Sequence, residues 1–254
     1  MDIDISKDGG ILTLAFNRLE KKNAITSVMY QALADGMREA EADASVRVIV
    51  IAGQPQIFTA GNDLEDFMKN PPSGGQSPVF QFMQHMIACT KPIIAAVAGP
   101  AVGIGTTLLL HCDLVYAAEN ARFSMPFSQL GLCPEFASSL MLPQLAGDKR
   151  ASEKLLMGEP FLAAEAAVMG LVNRVLPADE LMSFVHAQAA KLAALPASSV
   201  RTTKHLMKAG QIEAIKARIT EENTAFSAML RAPEAKEAFA AFFEKRKPDF
   251  SRFA

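Results

Sequence analysis

Apolar residues come in short alternating or continuous runs through the first half of the chain and at helical spacing through the second. I-D-I at 3–5 and I-L-T-L-A-F at 11–16 flank Gly9-Gly10 and read as two short strands around a turn. Met29, Ala32, Leu33, Gly36, Met37 and Ala40 share one helical face, which predicts an amphipathic helix over 26–42. V-R-V-I-V-I-A at 46–52 is almost uninterrupted, the mark of a strand covered on both faces. A helix at 79–88 leads through Lys91-Pro92 to a second buried strand, I-I-A-A-V-A at 93–98. Gly99 to Gly105 then opens a helix, and D-L-V-Y-A at 113–117 is a further strand. This alternation predicts α/β layering. From about residue 178 the chain reads as helix. One stripe holds Leu181, Phe184, Val185, Ala189 and Leu192, a second Ile212, Ile215, Ile219, Phe226 and Leu230, and a third Ala235, Ala238, Phe239 and Phe242. Faces this apolar must pack on the sheet layer or on another subunit.

Composition narrows the function. The chain has 254 residues, half of them apolar and a fifth charged, with a formal net charge of −2. That allows a sizeable core and gives no global field for nucleic acid. The three cysteines, Cys89, Cys112 and Cys133, lack metal-type spacing and sit in apolar surroundings, so buried thiols are expected and neither a disulfide framework nor a metal site. Acidic residues stand where a secretory signal would carry basic ones, and no apolar run reaches membrane-spanning length. The expected location is cytoplasmic, with no membrane association.

Three segments carry candidate chemistry. F-T-A-G-N-D-L at 58–64 follows a strand, and its small residues let backbone approach a ligand; taken alone it reads first as a plain tight turn. A-G-P-A-V-G-I-G at 98–105 stands where a dinucleotide-binding loop would, but its glycines run G-x-x-x-G-x-G, not G-x-G-x-x-G. What survives is a helix start with accessible N–H groups, suited to a developing oxyanion. In the third segment Glu135 stands among Leu132, Cys133, Pro134, Phe136 and Ala137. Desolvation there would raise its pKa, as a general base requires, whereas a place in the first turn of a helix would lower it. The four histidines have no Ser or Cys partner at suggestive spacing. The stretch at 70–78, N-P-P-S-G-G-Q-S-P, reads as an exposed linker or a flap over a site.

In this order, K-N-A-I at 22–25, A-G-N-D-L at 60–64, K-P-I-I-A-A-V-A-G-P-A-V-G-I-G at 91–105, C-D-L-V-Y-A at 112–117, G-L-V-N-R-V-L-P at 170–177 and F-F-E-K-R-K-P-D-F at 242–250 resemble the crotonase, or enoyl-CoA hydratase/isomerase, superfamily over essentially the whole chain. The resemblance implies an α/β crotonase (ClpP-like) fold: a spiral core of repeated strand–strand–helix units over 1–195 and a helical trimerisation region over 196–254. It implies a homotrimer or dimer of trimers acting on an acyl-CoA substrate, with no cofactor beyond the coenzyme A of that substrate. It places an oxyanion hole at the backbone N–H groups of Asn62 and Ile104, whose side chains would matter little. It assigns Lys22, Asn23, Ala24, Ile25, Ala60, Gly61, Asp63, Leu64 and Gly103 to the substrate, and Lys245 to the CoA phosphates, from the same or a neighbouring subunit.

The acid–base positions discriminate within the family. Hydratases resembling this chain carry two glutamates, and their places here hold Thr107 and Phe127. Glu135, in C-P-E-F-A-S-S, instead resembles the peroxisomal type of 3,2-trans-enoyl-CoA isomerase. One carboxylate suffices to move a double bond. Phe127 and Phe136 are expected to form the apolar wall around it. The alternatives are hydration or thioester hydrolysis, and a non-catalytic assembly or RNA-binding role.

Overall fold

The computed structural model describes residues 2–70 and 75–253. Strands β1 (Ile3–Asp8) and β2 (Ile11–Phe16) form the expected hairpin, followed by α1 (Ser27–Ala42) and β3 (Val48–Ala52). Next come α2 (Leu64–Lys69), α3 (Pro78–Ala88), β4 (Ile93–Val97), β5 (Pro100–Val102), the single turn α4 (Ile104–Thr107), β6 (Leu114–Ala118) and β7 (Arg122–Ser124). Then follow α5 (Ser138–Ala146), α6 (Asp148–Ser152), β8 (Phe161–Leu162), α7 (Ala163–Val168) and β9 (Arg174–Leu176). The chain ends in α8 (Leu181–Ala194), α9 (Ala197–Lys208), α10 (Ile212–Met229) and α11 (Pro233–Phe243).

The larger sheet has the order β1-β2-β3-β4-β6-β9, parallel throughout except for the first hairpin. A smaller sheet runs β5-β7-β8. Consecutive strands thus alternate between sheets: β4 then β5, β6 then β7. Thr59, which follows β3, bridges in parallel to Ala101 of β5 and begins the same pattern one step earlier. The strand–strand–helix repeat is therefore visible in the pairing, and this is the crotonase fold.

Every residue of β3 and β4 is buried. Because successive side chains alternate across a sheet, Ile49 and Ile51 join the core with Leu33 and Met37 of α1. Val48, Val50 and Ala52 face the other way, onto Leu181, Val185 and Ala189 of α8. The helical C-terminal part packs back as well: Ala235 and Phe239 of α11 belong to the first core, and Ile219, Phe226 and Leu230 press against it.

One local expectation is corrected. Residues 99–105 do not open a helix directly. Pro100–Val102 pair with β7, and the helix begins only at Ile104. The apolar run there is short because it is a strand of the second sheet. Residues 71–74 of the 70–78 segment, and with them the flap considered there, lie outside the described residues.

Candidate active site

The two small-residue loops are laced together by backbone hydrogen bonds. Phe58 and Thr59 both donate N–H to Pro100 O (3.1 and 3.0 Å), and Val102 N–H returns to Thr59 O (3.0 Å). A Cβ on Gly61 would lie 2.8 Å from Val102 O, and one on Gly105 2.4 Å from Thr59 Cγ2. Only glycine permits that approach.

Counting amide donors leaves Asn62 and Ile104, with Leu64 and Gly105 at the helical positions that follow, without an acceptor among the described residues. Ala60 donates to Lys22 O (3.0 Å), Gly61 to Thr59 Oγ1 (3.1 Å) and Asp63 to Ile25 O (2.9 Å). Asn62 N–H, between them, has no acceptor among the described residues. In the second loop Gly103 donates to Ser124 O (2.9 Å), while Ile104 N–H at the head of α4 has none. Both residues line one cavity of about 500 Å³. Two unspent backbone donors on the lining of one cavity have the chemistry to hold an anion.

Glu135 lines the same cavity. The residue is 94% buried, and its Oε1 has no hydrogen-bond partner among the described residues. Burial first, then the charge of Glu222, pushes its carboxyl up to about 8. The helix-start alternative for Glu135 does not hold, because α5 begins three residues later, at Ser138. Between them Phe136 and Ala137 both adopt left-handed backbone, φ 58° and 57°. Two such non-glycine residues in succession carry a conformational cost that surrounding bonds must offset.

Those bonds are present. Ser138 donates N–H (3.1 Å) and Oγ–H (2.7 Å) to Glu135 O. His111 donates from Nε2 to Phe136 O at 2.8 Å, and its ring stacks on that of Phe136 with centroids 3.7 Å apart. Burial drives the imidazole down to about 4, so it stays neutral. Phe136 is therefore buried behind the turn and is not the cavity wall expected of it. Phe127 does line the cavity, with Leu130, Leu132, Phe67 of α2, Phe226 of α10 and Phe239, Phe242 and Phe243 of α11. Phe242 and Phe243 remain 59% and 43% exposed, at the ends of a helix face that otherwise packs inward.

Of the other expected residues, Lys22, Ala24, Ala60, Gly61, Asp63, Leu64 and Gly103 line the cavity, joined by Lys21. Asn23 and Ile25 do not. Asn23 is fully buried; its Oδ1 accepts from Arg18 N–H (2.8 Å), and its amide donates to Ile57 O (3.2 Å) and Phe58 O (3.1 Å). It holds the loop from behind, as does buried Ile25 through its bridge to Asn62. Lys245 is exposed, two residues beyond the lining residue Phe243, and does not itself line the cavity. Asp63 faces the cavity with its carboxylate already engaged, by Arg18 at 2.7 Å and by the Glu65 and Asp66 N–H groups at 3.1 Å each. Burial pushes that carboxyl up, but the Arg18 hydrogen bond and the helix-end donors hold it below the usual range.

Sequence reading missed two partners. Tyr30 of α1 donates its hydroxyl to Asn62 Oδ1, so this side chain does matter: it is an anchor. Glu222 of α10 reaches the turn after Glu135. Neither has a local motif; each is recognisable only once distant segments are brought together. Among the described residues there is no cluster of metal-binding side chains and no helix long and apolar enough to cross a membrane.

The family model for enoyl-CoA hydratase/isomerase matches residues 6–252. The chain belongs to the enoyl-CoA hydratase/isomerase family. Enoyl-CoA delta isomerase 2 of Rattus norvegicus is 37% identical over 96% of this chain, which spans 63% of that protein's length. The 2,3-dehydroadipyl-CoA hydratase of Escherichia coli K12 is 32% identical, covering 98% of both chains. A crystal structure of an enoyl-CoA hydratase/isomerase from Pseudoalteromonas atlantica T6c has TM-score 0.95 and 40% identity, covering 98% of this chain and all of that one. Isomerases and hydratases thus stand at similar distances within the family.

Proposed function

We propose that this enoyl-CoA hydratase/isomerase family member isomerises 3-enoyl-CoA to 2-trans-enoyl-CoA. The observation that carries the reading is Glu135: a buried carboxyl with an unpartnered oxygen, in the cavity that Asn62 and Ile104 also line. The other cavity carboxylates are Asp63, held by Arg18, and Glu65 of the short helix α2. Thr107 is fully buried and Phe127 is apolar, so neither supplies the second acid–base group that hydration needs.

The thioester oxygen accepts from the Asn62 and Ile104 N–H groups. Glu135, as carboxylate, removes a proton from C2. The electron pair spreads over C1, C2, C3 and C4 as a dienolate, with the negative charge on the oxygen that the two amides hold. The proton passes from Glu135 to C4, and the double bond lies between C2 and C3. No water and no redox partner enters. A base with raised proton affinity abstracts a carbon acid's proton better than an ordinary carboxylate does, and the apolar wall excludes the water that would lower it. Lys21 and Lys22 at the rim offer cations to the CoA phosphates. The homotrimer or dimer of trimers, built through the helical region 196–254, belongs to the same proposal; the exposed Leu206 and Met207 of α9 support it as apolar contacts between copies.

Incubation with 3-enoyl-, 2-enoyl- and saturated acyl-CoA tests the reading. Turnover of the first, with little hydration of the second and little hydrolysis of the third, is expected. Dominant hydration or hydrolysis would replace isomerisation with that reaction. Failure of any CoA ester to raise the melting temperature would favour a non-catalytic role.

A further inference from the structure

Glu222 is a glutamate on the inner face of α10, 95% buried, 87 residues after the proposed base. Both its oxygens accept. Oε2 takes Ala137 N–H at 2.6 Å; Oε1 takes Ser139 N–H at 3.0 Å and Ser139 Oγ–H at 2.5 Å. The ionised form, whose oxygens only accept, satisfies all three contacts. These donors are the amides left free at the start of α5 and at the second left-handed residue. Glu222 thus offsets the cost of the Phe136–Ala137 turn and brings a second negative charge near Glu135.

We propose that Glu222 is the positioning residue of this acid–base site: it clamps the turn that aims Glu135 into the cavity. The inference rests on Glu135 being the proton carrier. Charged and titratable neighbours on each packed element agree with it. From α10, Arg218 bonds Ser139 Oγ (3.1 Å) and pairs with Glu221 (3.1 Å). From α1, Tyr30 has its hydroxyl pushed up by burial and by the Glu135 charge. Between β6 and α4, His111 is neutral, and Lys208 of α9 caps its carbonyl at 3.2 Å. Cys133 donates its thiol to Glu222 O at 3.7 Å, and burial holds that thiol protonated. Burial pushes the Glu222 carboxyl itself up, while Ser139, Ala137 and Arg218 pull against it.

The test is a carboxyl carbon NMR titration of glutamate-labelled protein, with the Glu135 signal assigned by its loss in Glu135→Gln. In Glu222→Gln the Glu135 midpoint falls by about one pH unit, because a like charge is gone, and kcat drops about tenfold as the turn loosens. An unchanged midpoint, or a parental kcat, would overturn the proposal. The titration needs no turnover, so it stands apart from the isomerase reading, which the unmodified protein's activity on 3-enoyl-CoA decides. If Glu222→Gln does not fold, Glu222→Asp carries the test. It keeps the charge but loses one methylene of reach, so kcat should fall with KM near the parental value; parental kcat there would overturn the clamp.

Discussion

The Tyr30 hydroxyl and the Asn62 side chain meet at 2.5 Å, so a helix that packs on the sheet also fixes the loop bearing the free Asn62 amide. Tyr30→Phe removes that bond and leaves the ring against Phe82 in place. A single hydrogen bond contributes about 1 kcal/mol. The expected result is a roughly three- to tenfold fall in kcat from a mispointed Asn62 N–H, with little change in melting temperature. Steady-state kinetics with 3-enoyl-CoA beside a thermal melt checks it.

The raised proton affinity of Glu135 fixes a pH dependence of activity. Its carboxyl titrates near 8 in the free protein, raised by burial and then by Glu222. A base must be deprotonated to act, so kcat/KM should rise with pH and level off above about 8. A profile already flat from pH 5 to 9 contradicts the buried-base assignment.

The same shift has a stability consequence of definite sign. Between about pH 4.5 and 8 the folded chain holds a proton that the unfolded chain has released, so stability falls as pH rises through that window. Gln cannot ionise. Glu135→Gln should therefore melt above the parent at pH 9, by an amount on the order of a few kcal/mol in stability, and the gap should shrink toward pH 5. Equal gaps at both pH values count against the shift.

Arg18 joins three pieces of the first loop: it donates to Ala24 O at 2.9 Å, pairs with Asp63 at 2.7 Å, and its amide bonds Asn23. Both side chains of the pair are only 15% exposed. Arg18→Ala leaves the part-buried Asp63 carboxylate without its cation, its Oδ1 still held by the Glu65 and Asp66 N–H groups, which costs about 1–3 kcal/mol. The melting temperature should drop and KM for the CoA ester should rise, because Lys22 and Ala24 lose their support. Thermal melts and KM measurements check both.

The sheet was legible in the sequence because two buried strands, 48–52 and 93–97, need apolar residues on both faces and leave an unmistakable run. The C-terminal helices were legible from their stripes. The strand at 100–102 was not, since three residues carry no period. Within the cavity, small residues at 60, 61 and 103 announced close backbone approach, and the acid in apolar sequence announced Glu135. Asn23 and Phe136 carried family-like positions without a signal for their direction, and both point into the protein. Tyr30 and Glu222 were invisible for the opposite reason. Their roles arise from contacts spanning 32 and 85 residues, which no local pattern records.

The central claim is that Glu135 alone carries the proton between C2 and C4. Turnover of 3-enoyl-CoA by Glu135→Gln, measured beside the Kd of the same ester, tests it most directly. The account predicts a loss of about 10²- to 10⁴-fold in kcat with Kd close to the parental value, because the Asn62 and Ile104 amides and the apolar wall remain. Parental turnover by Glu135→Gln would contradict it.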